Sequence, residues 1–148
     1  MTQRELFFQA MQARLGRPYI YGGQGPDYFD CSGYVLDCLL QTGMKLPDMN
    51  AQGIYDWFHN NKVLLSASPV GSLAFYWNKL HNYISHTMCV YSIWPNGERV
   101  LCGARGGDNT TTDLSMAAQQ GALCSLVVAS HYQPELLALV CDPFRGMD

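Results

Sequence analysis

The feature that most limits how this chain can fold is a change of period near Ser66. Before it, apolar residues recur at helical spacing; after it, β-branched and aromatic runs alternate with turn residues. Thr2-Gln3-Arg4-Glu5 is a capping box ahead of Leu6, Phe7, Ala10, Met11 and Leu15, which predicts a helix to about Leu15, stopped by Gly16 and Pro18. From Cys31 to Gln41, the residues Val35, Leu36, Cys38, Leu39 and Leu40 form a stripe too broad for a surface helix, so a buried central helix is expected, capped by Asp30 or its neighbour and ended at Gly43. Asn50 to Asn60 reads as a shorter third helix. The second half predicts strands over 69–77, 83–93 and 99–104, with Pro95-Asn96-Gly97 as a hairpin turn between the last two. A loop over 106–112, a short helix at Leu114 to Gln120 and a final strand at Cys124 to Ser130 complete the reading. Helices first and strands second make an α+β domain, with N-terminal helices packed on a central antiparallel sheet, over residues 1–148 as a single unit.

Composition narrows the function classes. At 48% hydrophobic and 14% charged, 148 residues can bury a real core. A net charge of −3 without any run of Lys or Arg argues against nucleic acid or an anionic membrane as the partner. The first residues lack a basic and apolar leader, and no stretch approaches the roughly 20 apolar residues of a membrane span. Synthesis in the cytoplasm is therefore expected, with any action outside it requiring delivery by another route. Cys38, Cys89, Cys124 and Cys141 lie among apolar neighbours and read as buried free thiols. No cysteine pair has CxxC spacing, so neither a metal nor another cofactor is expected.

One cysteine stands apart. Cys31 lies in Phe29-Asp30-Cys31-Ser32-Gly33-Tyr34-Val35, downstream of Tyr19-Ile20-Tyr21-Gly22-Gly23, where an irregular glycine-rich loop enters the central helix. Unpaired N–H groups in a helix's first turn stabilise an anion, and a nearby imidazole can take the thiol proton. His86, in Ile84-Ser85-His86-Thr87-Met88-Cys89-Val90-Tyr91, is the candidate base. Taken alone, a cysteine at a helix start is more often structural than catalytic, and a lone strand histidine is usually a surface or core residue. His81 is the second choice but sits in a polar loop, and His59 and His131 have no supporting pattern. Trp57, Trp77 and Trp94 read as core or rim, and Gly106-Gly107 lacks the Lys-Ser/Thr of a phosphate loop.

The four blocks around Tyr19, Cys31, Pro69-Val70-Gly71-Ser72-Leu73-Ala74-Phe75 and His86 resemble, in content and order, the NlpC/P60 cell-wall peptidases, over about residues 10 to 112. The resemblance implies a papain-like core in which Cys31 attacks and His86 serves as base and then acid. It implies peptidoglycan stem peptides as substrate, often cleaved between D-glutamate and diaminopimelate, with Tyr21, Asp30 and Ser32 shaping the site and holding a free amino group. Asp30 and Ser32 also suit a helix cap, so both readings apply. At the third catalytic position, where relatives present a histidine or another polar side chain, counting along Arg99-Val100-Leu101-Cys102-Gly103-Ala104 places Cys102. The alternatives there are a backbone carbonyl, or Asp108 or Asn109 reaching back from the next loop. Two other functions stay open: a non-catalytic peptidoglycan-binding or virion-structural domain, and a thiol hydrolase of another amide or thioester. The context suits a phage tail or lysis component, an exported toxin with an immunity-protein partner, or a muropeptide-recycling enzyme.

Overall fold

In the computed structural model, which describes residues 1–147, the first half is helical. Helix α1 spans Gln3–Ala13, with the Thr2 hydroxyl accepting from the Glu5 N–H at 3.1 Å. It ends two residues before the expected Leu15, with Arg14 as C-cap and Gly16 in the left-handed region. Helix α2 spans Cys31–Leu40, capped by the Asp30 carboxylate on the Gly33 N–H at 2.6 Å. Seven of its residues from Ser32 to Leu39 are buried, in keeping with its broad apolar stripe. Helix α3 spans Ala51–Phe58 behind an Asn50 cap, and His59–Asn61 continue as a 3-10 turn.

Six strands follow: β1 (Lys62–Val63), β2 (Leu73–Trp77), β3 (Ile84–Ile93), β4 (Arg99–Arg105), β5 (Leu123–Val128) and β6 (Leu137–Cys141), with α4 (Leu114–Gln120) between β4 and β5. They form one antiparallel sheet in the order β1-β6-β2-β3-β4-β5. The hairpin at Pro95-Asn96-Gly97 stands where the turn residues put it, joining β3 to β4. Cys124 to Ser130 is not the last strand, however. The short run Leu137-Ala138-Leu139-Val140-Cys141 inserts between β1 and β2, with Ala74 opposite Val140 and Leu73 opposite Cys141.

That topology places the two layers of the core. The helices cover one face of the sheet, where Phe7, Met11, Tyr34, Leu39, Ile54 and Phe58 pack on Phe75, Cys89, Cys102 and Cys141. Each large apolar side chain so buried contributes about 1.5–3 kcal/mol. On leaving β5 at one side of the sheet, the chain must reach β6 on the far side of β2. It runs over the face opposite the helices, where Ala129, Tyr132, Leu136 and Leu137 pack with Tyr76, Met88, Val90 and Leu101. This crossing segment carries side chains over the start of β3, where His86 lies.

Candidate active site

The nucleophile candidate is placed by the entry into α2. Residues 19–30 fold back on themselves through bridges of Phe29 to Tyr19 and Gln24, and the Asp30 N–H donates to the Gly23 carbonyl at 2.9 Å. The start of α2 is pressed against this loop so closely that a Cβ on Gly33 would lie 2.0 Å from the Gly23 carbonyl oxygen. Cys31 is the first helical residue, half-buried, and its Sγ lies 3.9 Å from the Ser85 carbonyl oxygen, beside His86 in the chain. The N–H groups of Thr87, Ser32 and Cys31 favour the thiolate, as the helix-start position suggests. Burial and the adjacent Asp30 carboxylate outweigh them and push the thiol up to about 12. The expectation that a helix start lowers this thiol is thus reversed in the resting site, because desolvation is the larger effect.

His86 is half-buried at the head of β3. Burial first, and the Arg105 cation second, lower its imidazole to about 4, so it rests neutral. Its Nε2 is 2.8 Å from the Tyr132 hydroxyl, and its ring sits between Tyr76 at 5.9 Å and Tyr132 at 5.7 Å. In the tautomer with the proton on Nε2, that N–H donates to Tyr132 and leaves Nδ1 as the free proton acceptor. The thiol and the imidazole, which line the same cleft, are both neutral at rest.

Cys102, the sequence's candidate for the third position, does not face the cleft. Cys102 is fully buried on the helix-covered face, with its sulfur 2.7 Å from the Tyr34 hydroxyl. Side chains alternate across a strand, so its neighbour is the one turned to the opposite face, and that neighbour is Gly103, packed on Met88. Asp108 and Asn109 line the cleft, but the Asp108 carboxylate accepts from the Thr110 N–H and hydroxyl at 2.8 and 2.5 Å. The hydrogen-bond partner of His86 is Tyr132, from the crossing segment.

Two lobes meet at Cys31. One, of about 370 Å³, is lined by Tyr21, Asp30, Ser32, Asn50 and Tyr83. The other, of about 730 Å³, is lined by His86, Arg105, Asp108, Asn109, Tyr132 and Gln133. The sequence-selected residues Tyr21, Asp30 and Ser32 therefore share one lobe. Asp30 accepts from Gly33 and from the Ser32 hydroxyl at 3.2 Å, and burial raises its carboxyl above the usual range. It caps the helix and faces the cleft with the same group. His81 lies in an exposed turn at φ 59°, 6.4 Å from the Trp77 ring, away from both lobes.

Sequence reasoning missed Tyr132 and Arg105. Ser130-His131-Tyr132-Gln133-Pro134 carries no spacing or motif tied to His86, which is 46 residues upstream. The one local sign is structural: Gln133, next to Tyr132 and lining the cleft, holds φ 46°, a left-handed conformation that costs a non-glycine residue about 1 kcal/mol or more.

Among curated proteins, the chain is 35% identical over 65 residues to a protein of Listeria seeligeri described as "Probable endopeptidase p60". It is 33% identical over 93 residues to a "Probable endopeptidase" of Mycobacterium bovis. These matches take in 44% and 60% of this chain but only 12% and 23% of those proteins, so the chain spans less than a quarter of their length. Among solved structures, it superposes on NlpC1 from Trichomonas vaginalis with a TM-score of 0.71 at 16% identity, covering 95% of this chain and 44% of that one. It superposes on the NlpC/p60 domain of the peptidoglycan hydrolase SagA with a TM-score of 0.66 at 16% identity, covering 94% and 97%. At such identities the likeness is one of fold. The NlpC/P60 family model matches residues 16–136, a stretch holding both lobes of the cleft, and the chain belongs to the NlpC/P60 family.

Proposed function

We propose that this domain is a cysteine endopeptidase of bacterial peptidoglycan, cleaving stem peptides at the D-glutamyl–diaminopimelate bond. The observation that carries this reading is the convergence of Cys31, His86 and the Asp30 lobe on one cleft. The family membership and the endopeptidase relatives support it. In this reading the peptide's free ammonium sits against Asp30, with Ser32 and Tyr21 beside it. Pairing with Asp30 offsets the charge that holds the thiol up, so the substrate itself eases ionisation of Cys31. His86 Nδ1 takes the thiol proton as Sγ attacks the scissile carbonyl, and the first-turn N–H groups of α2 stabilise the oxyanion. The imidazolium then gives its proton to the leaving amine; water, activated by the same imidazole, hydrolyses the thioester and restores Cys31.

The test is incubation with muropeptides and mass spectrometry of the products. Wild type should release fragments ending in D-glutamate, and Cys31→Ala and His86→Ala should each release almost none, since the pair acts as a unit. Products from wild type that match those from Cys31→Ala would overturn the reading. The upward displacement of the resting thiol favours one second reading, a domain that binds peptidoglycan without cutting it. Muropeptide binding by wild type with no thioester and no product would decide for that reading.

A further inference from the structure

One lobe holds a carboxylate, and the other holds a cation as well as the carboxylate of Asp108. Asp30 stands in one, and Arg105, the last residue of β4, stands in the other, with Cys31 shared between them. The Arg105 guanidinium lies over the Tyr132 ring at 5.7 Å, and its Nη2 donates to the Leu126 carbonyl at 3.3 Å. Its Nε is buried with no acceptor. No carboxylate among the described residues lies within ion-pair distance of it, and the nearest candidate by position, Asp108 in the same lobe, is turned to Thr110. A cation fixed in orientation by an aromatic ring, with an N–H lacking an acceptor, suits a planar anion.

Resting on the endopeptidase reading above, we propose that Arg105 binds a carboxylate of the residue on the leaving side of the scissile bond. The cleft then reads a peptide with an ammonium on the Asp30 side and a carboxylate across Cys31 from it. A diaminopimelyl residue has that carboxylate. An incoming carboxylate meets the part of the guanidinium that lines the lobe, and the charge-assisted bond forms in a setting where water competes weakly. The same carboxylate offsets the Arg105 cation beside His86 as the imidazole takes the thiol proton. Arg105 would thereby set specificity without touching the reacting atoms.

The experiment compares two synthetic L-alanyl-γ-D-glutamyl-diaminopimelate peptides, one with free and one with amidated diaminopimelate carboxylates. Calorimetry on Cys31→Ala should show the free acid binding about 10- to 100-fold tighter, the size expected for a charge-assisted pair. Arg105→Gln in that background should remove the preference and leave the amide's affinity nearly unchanged, while Arg105→Lys should keep part of it. Equal binding of the two peptides, or a preference that survives Arg105→Gln, would overturn the proposal. The acid–amide comparison on the unsubstituted residue stands even if an Arg105 variant fails to fold. Turnover by wild type separates the two ideas: both peptides cut with equal kcat/KM would sink the Arg105 assignment alone, whereas neither peptide bound or cut would sink the endopeptidase reading with it.

Discussion

The Tyr132 hydroxyl gives Nε2 of His86 a hydrogen-bond partner at 2.8 Å, and in the proposed mechanism that bond orients the imidazole. Removing the hydroxyl leaves Nε2 of His86 facing a half-buried space with no acceptor, a loss of about 1–3 kcal/mol. Tyr132→Phe is therefore expected to lower kcat about 10- to 100-fold with KM little changed, because the bond matters most when the imidazole becomes charged. Steady-state kinetics on a muropeptide checks this, and an unchanged kcat would reduce Tyr132 to packing. Cys102→Ser should have no comparable effect on kcat, since its sulfur faces Tyr34 across the sheet from His86. Cys31 and His86 were singled out by their flanking residues, and both line one cleft; Tyr132 was not, since nothing near it in the chain refers to the imidazole.

At the scale of elements, the site depends on how α2 begins. Asp30 caps the helix, the Gly23 carbonyl accepts from Asp30, and Gly33 lets the first turn lie against that carbonyl. A methyl group on Gly33 would have to displace backbone, not a flexible side chain, so Gly33→Ala should destabilise the fold by about 1–3 kcal/mol or more. The same displacement moves Cys31, two residues away. Urea unfolding together with the rate of Cys31 alkylation measures both effects, and a variant unaltered in both would show that the loop yields freely. Helix α2 was readable from its cap, its stripe and Gly43, because those signals are local. Strands β1 and β6 were not, because a two-residue strand and a five-residue apolar run gain their identity only from the pairing of Lys62 with Cys141 and of Ala74 with Val140.

For the whole molecule, buried titratable groups set a pH window of stability. His86 has a folded value of about 4 against 6.5 unfolded, so its contribution is complete above about pH 6.5 and lost as pH falls toward 4. Burial pushes Cys31, Cys102, Cys124 and Cys141 from 9.0 to about 12, so theirs is complete below about pH 9 and lost as pH rises toward 12. Stability should therefore plateau between about pH 6.5 and 9 and fall on either side. Urea midpoints across that range test it, with His86→Gln expected to flatten the acid limb between pH 6.5 and 4. A variant whose acid limb matches wild type would show that the imidazole is not its source.

By itself, the sequence determined whatever depends on neighbours along the chain. The helical and strand periods, the caps at Thr2, Asp30 and Asn50 and the Asn96-Gly97 turn all follow from local backbone preference and the spacing of apolar residues. The tertiary structure alone decided what depends on strand order. Because β6 inserts beside β2, the chain leaving β5 has to cross the open face of the sheet, and that crossing sets Tyr132 on His86. The register of β4 turns Cys102 toward the helices, and its end sets Arg105 in the cleft. Even the ionisation of Cys31 was a tertiary matter, since a helix start favours the thiolate in any chain and only the packed site supplies the desolvation that outweighs it.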